Sequence, residues 1–117
     1  MNSLVKLPDI NTVAPITDNL DGWTIQDGKP EMKTWILNTS NDGSMISGYW
    51  EAKPGTYYLV YSEYEFLHVL EGKVIITPDG CESVILVAGE TFVVEADFNG
   101  TWEIIQTVRK YFDLKLN

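Results

Sequence analysis

Three kinds of residue are scarce in this 117-residue sequence: histidine, cysteine and basic side chains. The one histidine is His68 and the one cysteine is Cys81, so an internal disulfide is excluded and a reducing compartment is favoured. Eight basic residues stand against seventeen acidic ones, which gives a net charge of −9. A protein that binds nucleic acid needs a basic patch to displace counterions, and we therefore exclude nucleic acid as a partner.

Long apolar runs are also absent. No stretch approaches the roughly 20 consecutive apolar residues of a membrane-spanning helix. The first ten residues, "MNSLVKLPDI", lack the apolar centre of a signal peptide. We therefore expect a cytoplasmic protein with no membrane partner, folded as one domain.

A sustained helical pattern is missing as well, and apolar residues alternate with a period of two. Turn signals cut the alternating segments at short intervals, a pattern typical of an all-β sandwich or barrel. The predicted strands are 32–38, 45–52, 56–61, 65–70, 73–77, 83–87, 91–95 and 101–116, the last with one bend. Residues 1–22 have little periodicity and are predicted to form an N-terminal arm on the barrel or on a partner, before a single domain at 23–117.

Four segments, in this order and spacing, resemble the cupin superfamily: "GYWEAKPG" (48–55), "EFLHVLEG" (65–72), "AGETFVVEADFNGTWEI" (88–104) and "VRKYF" (108–112). Within it, they are similar to the small single-domain cupins grouped with the (S)-ureidoglycine aminohydrolase cupin domain. The resemblance covers about residues 20–114. It implies a jelly-roll β-barrel (a double-stranded β-helix), often dimeric, with a pocket inside.

The metal ligands of the metal-binding cupins are largely absent here. Glu65 and Gly72 fit the second half of the first cupin motif, but no alignment of that motif with this sequence supplies its His-x-His pair. In the second motif, Gly100 stands at the histidine position. A divalent transition metal needs about three or four N, O or S donors. We therefore expect no bound metal and no cofactor. A weak site built from oxygens of Tyr61, Glu63 and Glu65 stays open as an alternative.

The interior pocket is predicted from strand phase and from the resemblance. Trp102 follows Gly100 by two and is expected to face inward at the barrel mouth, with Gln106 in the same phase. Trp50 and Glu51 lie on opposite faces of their strand, and the resemblance favours Glu51 and Lys110 as polar pocket positions. The predicted ligand-binding residues are Glu51, Tyr58, Tyr61, Glu65, Trp102, Gln106 and Lys110.

Glu65 is the candidate catalytic residue. A carboxylate buried among aromatic rings is either unpaired, with a raised pKa that suits acid–base chemistry, or paired with Lys110, Arg109 or a tyrosine hydroxyl. We favour the unpaired form. His68 lies three residues further on and is expected to face outward, unless a β-bulge turns it inward.

Three functions are compatible with these features. The favoured hypothesis is a metal-poor cupin that binds a small molecule without catalysis. The first alternative is a cupin-type enzyme, a hydrolase or an isomerase with acid–base chemistry, which a polar triad inside the barrel would favour. The second is a structural module that dimerises through the outer residues Phe66, His68 and Leu70, which a plugged interior would favour. Homodimerisation is expected in each case.

Overall fold

The computed structural model describes residues 3–116, which form eight β-strands and one short 3₁₀ turn, Ile10–Thr12. The strands are β1 (Trp23–Asp27), β2 (Met32–Thr39), β3 (Met45–Ala52), β4 (Gly55–Tyr61), β5 (Tyr64–Pro78), β6 (Val84–Val87), β7 (Thr91–Val94) and β8 (Phe98–Lys115). All strand pairs are antiparallel.

Two long strands, β5 and β8, pair with each other along almost their whole length and hold two layers together. The first half of β5 and the second half of β8 pair with β7 and β3, and β2 extends that layer. The other halves pair with β6 and β4, and β1 extends the second layer. Both long strands bend where their register shifts between Val69 and Val74. At this bend a Cβ on Gly72 would lie 2.1 Å from the Thr107 carbonyl oxygen, so the backbones meet where only glycine fits.

The core lies between the layers and follows strand alternation. In β8, the even-numbered side chains Trp102, Ile104, Val108, Lys110 and Phe112 are buried. Successive side chains of a strand point to opposite faces, so this phase places the even-numbered residues of β8 inside the barrel, except Gln106 at the bend.

Part of the predicted N-terminal arm lies against the barrel. The backbones of Ile16 and Thr34 exchange both hydrogen bonds, at 2.7 and 2.9 Å. The Tyr57 hydroxyl donates to Asn19 Oδ1 at 3.2 Å, and Leu20 packs against the core. This segment brings the chain into β1, so that Trp23 enters the barrel. The division between arm and domain stays a prediction.

The predicted all-β jelly roll is confirmed, and the strand boundaries agree closely with two exceptions. Segments 65–70 and 73–77 are halves of one continuous strand, β5, because a β-bulge and not a turn joins them. Strand β1 was not predicted, since its five residues are mostly exposed and show little alternation. Within residues 3–116, no helix is long and apolar enough to cross a membrane.

Candidate functional site

A cavity of about 370 Å³ opens between the two layers beside the arm. Apolar and aromatic side chains form most of its wall, and Trp23 and Trp50 are the largest of them. Its polar and charged side chains are Asp21, Thr34, Tyr61, Glu63, Glu65 and Lys110. A mostly apolar pocket with a few convergent polar groups is the usual form of a small-molecule site.

Lys110 lies at the centre of this arrangement and is 1% exposed. It pairs with Trp50 across β3 and β8, so the two side chains share the inner face. The ammonium nitrogen is 4.4 Å from the ring centroid of Trp50 and 4.5 Å from that of Trp102. These cation–π contacts partly replace water around the charge. Burial nevertheless lowers the pKa of Lys110 from 10.5 to about 8, although nearby Glu65 acts in the opposite direction.

Glu65 is paired on both of its oxygens. Oε2 lies 3.4 Å from Lys110 Nζ, and Oε1 accepts a hydrogen bond of 3.1 Å from the Tyr61 hydroxyl. Burial, followed by the charge and the hydrogen bond of Glu65, raises the pKa of the Tyr61 hydroxyl. The expectation that Glu65 is unpaired is therefore wrong. Positions 65 and 110 are 45 residues apart, and only the β5–β8 pairing brings them together.

Two residues that line the cavity each have a buried polar atom without a partner. The indole nitrogen of Trp50 and the hydroxyl oxygen of Thr34 form no hydrogen bond with any residue between 3 and 116. The indole nitrogen of Trp102, whose ring centroid lies 4.5 Å from the Lys110 ammonium, also has no partner among these residues. Buried polar groups in folded proteins are normally satisfied, so three unpaired groups around one cavity are unusual.

Tyr58 does not reach this cavity. Its hydroxyl hydrogen-bonds to Asp79 on the outer surface, and Tyr57 is the neighbour that is wholly buried. In β4 the odd-numbered residues 57, 59 and 61 face inward. Tyr58 and Tyr61 have opposite parity on a regular strand, so both could not face one pocket.

Glu51 and Gln106 also lie outside the barrel. Trp50 takes the inner face of β3, and the Glu51 carboxylate accepts a 2.8 Å hydrogen bond from Arg109 Nε on the outer side. Gln106 has the even-numbered phase of β8, but it lies at the bend, where the pairing register shifts and its side chain is exposed. Gln106 is therefore exposed because it lies at the bend, although its phase alone would place it inside the barrel.

The remaining predicted residues lie where strand alternation places them or close by. Tyr61, Glu65 and Lys110 line the cavity. Trp102 faces inward but is completely buried behind the cavity, not at its mouth. His68 faces outward, and its Nδ1 lies 2.9 Å from the Thr91 hydroxyl. Trp23, Thr34 and Trp50 line the cavity but were not predicted to do so. Only Trp50 could have been found from the sequence, because it lies on the strand face opposite to Glu51 and one of the two had to face inward.

A metal ion does not fit this donor set. Among residues 3–116, no three His, Cys, Asp or Glu side chains are grouped so that they could hold one. The carboxylate that would be the first ligand already faces the ammonium of Lys110, whose positive charge would repel a metal cation. The expectation of a metal-free protein stays a prediction, now supported by the chemistry of these side chains.

A second cavity, of about 510 Å³, lies beside β6 and β7. Its wall is mainly apolar, with Phe92 and Phe98 as the largest side chains, and its charged residues are Asp79, Glu95 and Asp97. It contains no buried ion pair and none of the three unpaired buried atoms. We therefore identify the cavity beside Lys110 as the candidate site, because the buried ion pair and the residues with unpaired buried atoms are found there.

Comparisons with known proteins agree with the fold. Residues 39–112 match the model of the family described as "EutQ-like cupin domain". The structure of the Clostridium difficile EutQ protein is 19% identical, with a TM-score of 0.66 over 74% of this chain and 69% of that chain. The structure of ectoine synthase from P. lautus is 14% identical, with a TM-score of 0.72 over 95% of this chain and 78% of that chain. The structure of the polyketide cyclase RemF from Streptomyces resistomycificus is 15% identical, with a TM-score of 0.72 over 97% of this chain and 81% of that chain.

These comparisons confirm the cupin resemblance. At such identities the solved structures show a shared fold and leave the activity of this chain open. None of the curated proteins matches the chain. The narrower likeness to the ureidoglycine aminohydrolase cupins stays a prediction.

Proposed function

The chain belongs to the EutQ-like cupin domain family, and we propose that its function is to bind a small molecule in the cavity beside Lys110, without a metal ion. The observation that carries this proposal is the buried ion pair of Glu65 and Lys110 on the wall of an otherwise apolar cavity, together with the unpaired buried polar atoms of two further lining residues, Trp50 and Thr34. A purely structural module would gain stability by replacing these buried groups with apolar ones, since each unpaired group costs roughly 1–3 kcal/mol. Their presence favours a site that a ligand completes.

Acid–base catalysis on the bound molecule is the second candidate. Tyr61, Glu65 and Lys110 form a connected polar triad inside the barrel. Lys110, with its pKa lowered to about 8, is close to the range in which a general acid or base works at neutral pH. This triad is the feature expected of an enzyme, and the test of binding should therefore also follow turnover.

The binding proposal can be tested with a fragment library and amide chemical shifts of the labelled protein. We expect fragments to perturb residues that line the cavity. Ile46→Trp, which fills the cavity from β3, should abolish these shifts, whereas Ile105→Trp, on an exposed position of β8, should preserve them. Shifts confined to the second cavity, or no cavity shifts at all, would refute the proposal. Hydrogen–deuterium exchange at carbon atoms of bound fragments, lost in Glu65→Gln, would identify an enzyme.

We also propose that two copies of the chain associate through the outer face of β5, β7 and β8. Phe66 is 44% exposed and pairs with Val93, which is 40% exposed, while Tyr111 on β8 is 45% exposed beside His68. These apolar side chains share one outer face with the polar residues His68, Thr91 and Asp113. Exposed apolar groups rimmed by polar residues are typical of protein–protein contacts. A two-fold symmetric dimer would cover the same patch on both copies.

The dimer proposal predicts twice the monomer mass by light scattering. Phe66→Asp should give the monomer mass, because it places two charges face to face across the symmetric contact. Ile25→Asp is the matched control, since Ile25 is 45% exposed on the edge strand β1, away from the patch. A monomeric wild type, or a Phe66→Asp variant that still dimerises, would contradict the proposal.

A further inference from the structure

Lys110 differs from the other lysines of the chain in its surroundings. The chain has seven lysines, and Lys110 is 1% exposed, whereas Lys73 is half-buried and the other five are exposed. An apolar environment favours the uncharged amine, which is the nucleophilic form of a lysine side chain. Burial of this kind is typical of lysines that react covalently with carbonyl compounds.

The Lys110 nitrogen lies among side chains of the cavity wall, and Lys110 is itself a lining residue. The ring centroids of Trp23, Trp50 and Phe112 are 5.9, 4.4 and 5.9 Å from Nζ, and all three residues line the cavity. Glu65 lines it as well, and its Oε2 is 3.4 Å from the same nitrogen. Four groups that a molecule in the cavity would contact thus converge on this nitrogen.

Glu65 is placed to move the protons that a reaction at Lys110 requires. The Tyr61 hydroxyl donates to its Oε1 at 3.1 Å, and Oε2 is the oxygen that faces the lysine. The ammonium can therefore give a proton to Oε2. Because burial lowers the pKa of Lys110 to about 8, about a quarter of this side chain is uncharged at pH 7.5, against roughly one part in a thousand at a pKa of 10.5.

We infer that Lys110 forms a covalent imine with a small, uncharged aldehyde that binds in this cavity. This inference rests on the proposed function, since it gives the ligand class of the same cavity. The charged residues on the wall are Asp21, Glu63, Glu65 and Lys110, so an anionic aldehyde would meet three carboxylates and no second cation. A volume of about 370 Å³ is near the lower end of ligand pockets, roughly 300–1,000 Å³, which favours a small molecule.

The bonds and charges of this reaction balance. Lys110 gives one proton to Glu65, and the amine nitrogen attacks the carbonyl carbon, which forms a C–N bond and breaks the C=O π bond. A second proton moves from nitrogen to the carbonyl oxygen, and Glu65 returns its proton to the resulting hydroxyl. Water leaves as the C=N bond forms. The product iminium carries one positive charge, as the ammonium did, so the charge of Glu65 stays matched.

Reductive trapping of the full-length wild-type chain tests the inference. Benzaldehyde and sodium cyanoborohydride are added at pH 7.5, the hydride converts each imine into a stable benzylamine, and peptide mass spectrometry gives the labelling rate of each lysine. We expect Lys110 to be labelled at least about tenfold faster than each of the other six lysines, although they are more exposed. Labelling of Lys110 that is no faster than that of the exposed lysines would overturn the inference.

A matched probe and two variants locate the reaction in the cavity. Para-formylbenzoate has the same ring and aldehyde but adds a carboxylate, and it should lose the preference for Lys110. Ile46→Trp, which fills the cavity, should slow the labelling of Lys110, whereas Ile105→Trp, on an exposed position, should leave it unchanged. Unchanged labelling of Lys110 in Ile46→Trp would overturn the cavity as the place where the aldehyde binds.

Glu65→Gln separates proton transfer from the effect of charge. Glu65 raises the pKa of Lys110, so its loss increases the uncharged fraction and by charge alone would speed labelling. We expect the folded variant to be labelled at least about tenfold more slowly instead, because general acid–base assistance is lost. Faster labelling would overturn the role of Glu65 in the reaction.

Failure of the imine can be distinguished from failure of the proposed function. If library fragments shift cavity residues of the wild type but Lys110 is not labelled, the imine is overturned and binding in the cavity stands. If neither fragment shifts nor labelling of Lys110 is observed, both proposals fail.

Discussion

Replacement of Glu65 by glutamine is expected to lower the free energy of unfolding by about 3–5 kcal/mol at pH 7. The substitution keeps the size of the side chain but removes the charge that faces Lys110, which is 1% exposed. The ammonium then either stays charged without a counterion or loses its proton, and both states are costly in the interior. Urea or thermal unfolding of wild type and variant measures the difference.

A double-substitution cycle separates this pair from other effects of Glu65→Gln. Lys110→Met alone should cost a similar amount, because it leaves the carboxylate buried with only the Tyr61 hydroxyl as partner. The double variant should recover most of the loss, since a neutral amide and a thioether need no counterion. Additive losses in the double variant would show that the two side chains do not stabilise each other.

The exposed ion pair between Glu31 and Lys53 is the matched control. Its atoms are 3.1 Å apart, closer than those of the buried pair, but its side chains are 70% and 57% exposed. Glu31→Gln should change stability by less than about 1 kcal/mol, because water screens exposed charges. A loss from Glu31→Gln as large as that from Glu65→Gln would contradict burial as the cause.

The pH dependence of stability gives an independent readout of Lys110. Its pKa is lowered from 10.5 to about 8, so between these values the unfolded chain holds a proton that the folded chain has lost. Stability therefore rises with pH across this window, by up to about 1.4 kcal/mol per pH unit, and this gain is lost as the pH falls from 10.5 to about 8. Tyrosines with raised pKa values, Tyr57 and Tyr61, act in the opposite direction above about pH 10.

Unfolding should consequently be compared between pH 8 and about pH 9.5, where Lys110 is expected to titrate and the tyrosines are not. Wild type should gain stability in this range, and Lys110→Met should lack this gain. In Glu65→Gln the gain should begin below pH 8, because the carboxylate no longer raises the pKa of Lys110. A wild type whose stability falls from pH 8 to pH 9.5 would show that the lysine titrates differently.

Gly100→Ala is expected to cost about 3 kcal/mol or more. A Cβ at this position would lie 2.4 Å from the carbonyl oxygen of Thr77, because β8 passes close to the end of β5 here. The obstacle is backbone within a strand pair, so it cannot move aside as a flexible side chain would. Thermal unfolding of the variant measures the loss.

The same contact between position 100 and the Thr77 carbonyl oxygen prevents a histidine from being placed at Gly100 as a metal ligand. Gly100→His should be at least as destabilised as Gly100→Ala, and zinc should not raise its melting temperature above that of the metal-free variant. Gly80→Ala is the control: it has no atom within 4 Å, and its φ of +74° should cost only about 1–2 kcal/mol. A stable Gly100→His variant that binds zinc would show that β5 and β8 can separate here.

Several features of this protein were determined by the sequence alone. The period of two and the turn residues predict the all-β jelly roll, and the order of the glycine-containing motifs predicts a cupin. Strand parity places His68 opposite to Glu65, and the missing histidines remove the usual metal ligands. These inferences succeed because alternation and turn chemistry are local properties of the chain.

The tertiary structure decided which parity faces inward and which distant side chains meet. Alternation predicts that Trp50 and Glu51 lie on opposite faces of β3, and that Tyr57 and Tyr58 lie on opposite faces of β4. It does not say which face is the inner one. The pairing of β3 and β4 with β8 places Trp50 and Tyr57 inside. The partner of Glu65 likewise depends on the β5–β8 register, because Lys110 is 45 residues away in the sequence. Long-range strand register is set by the packing of the whole barrel, and a local pattern does not contain it.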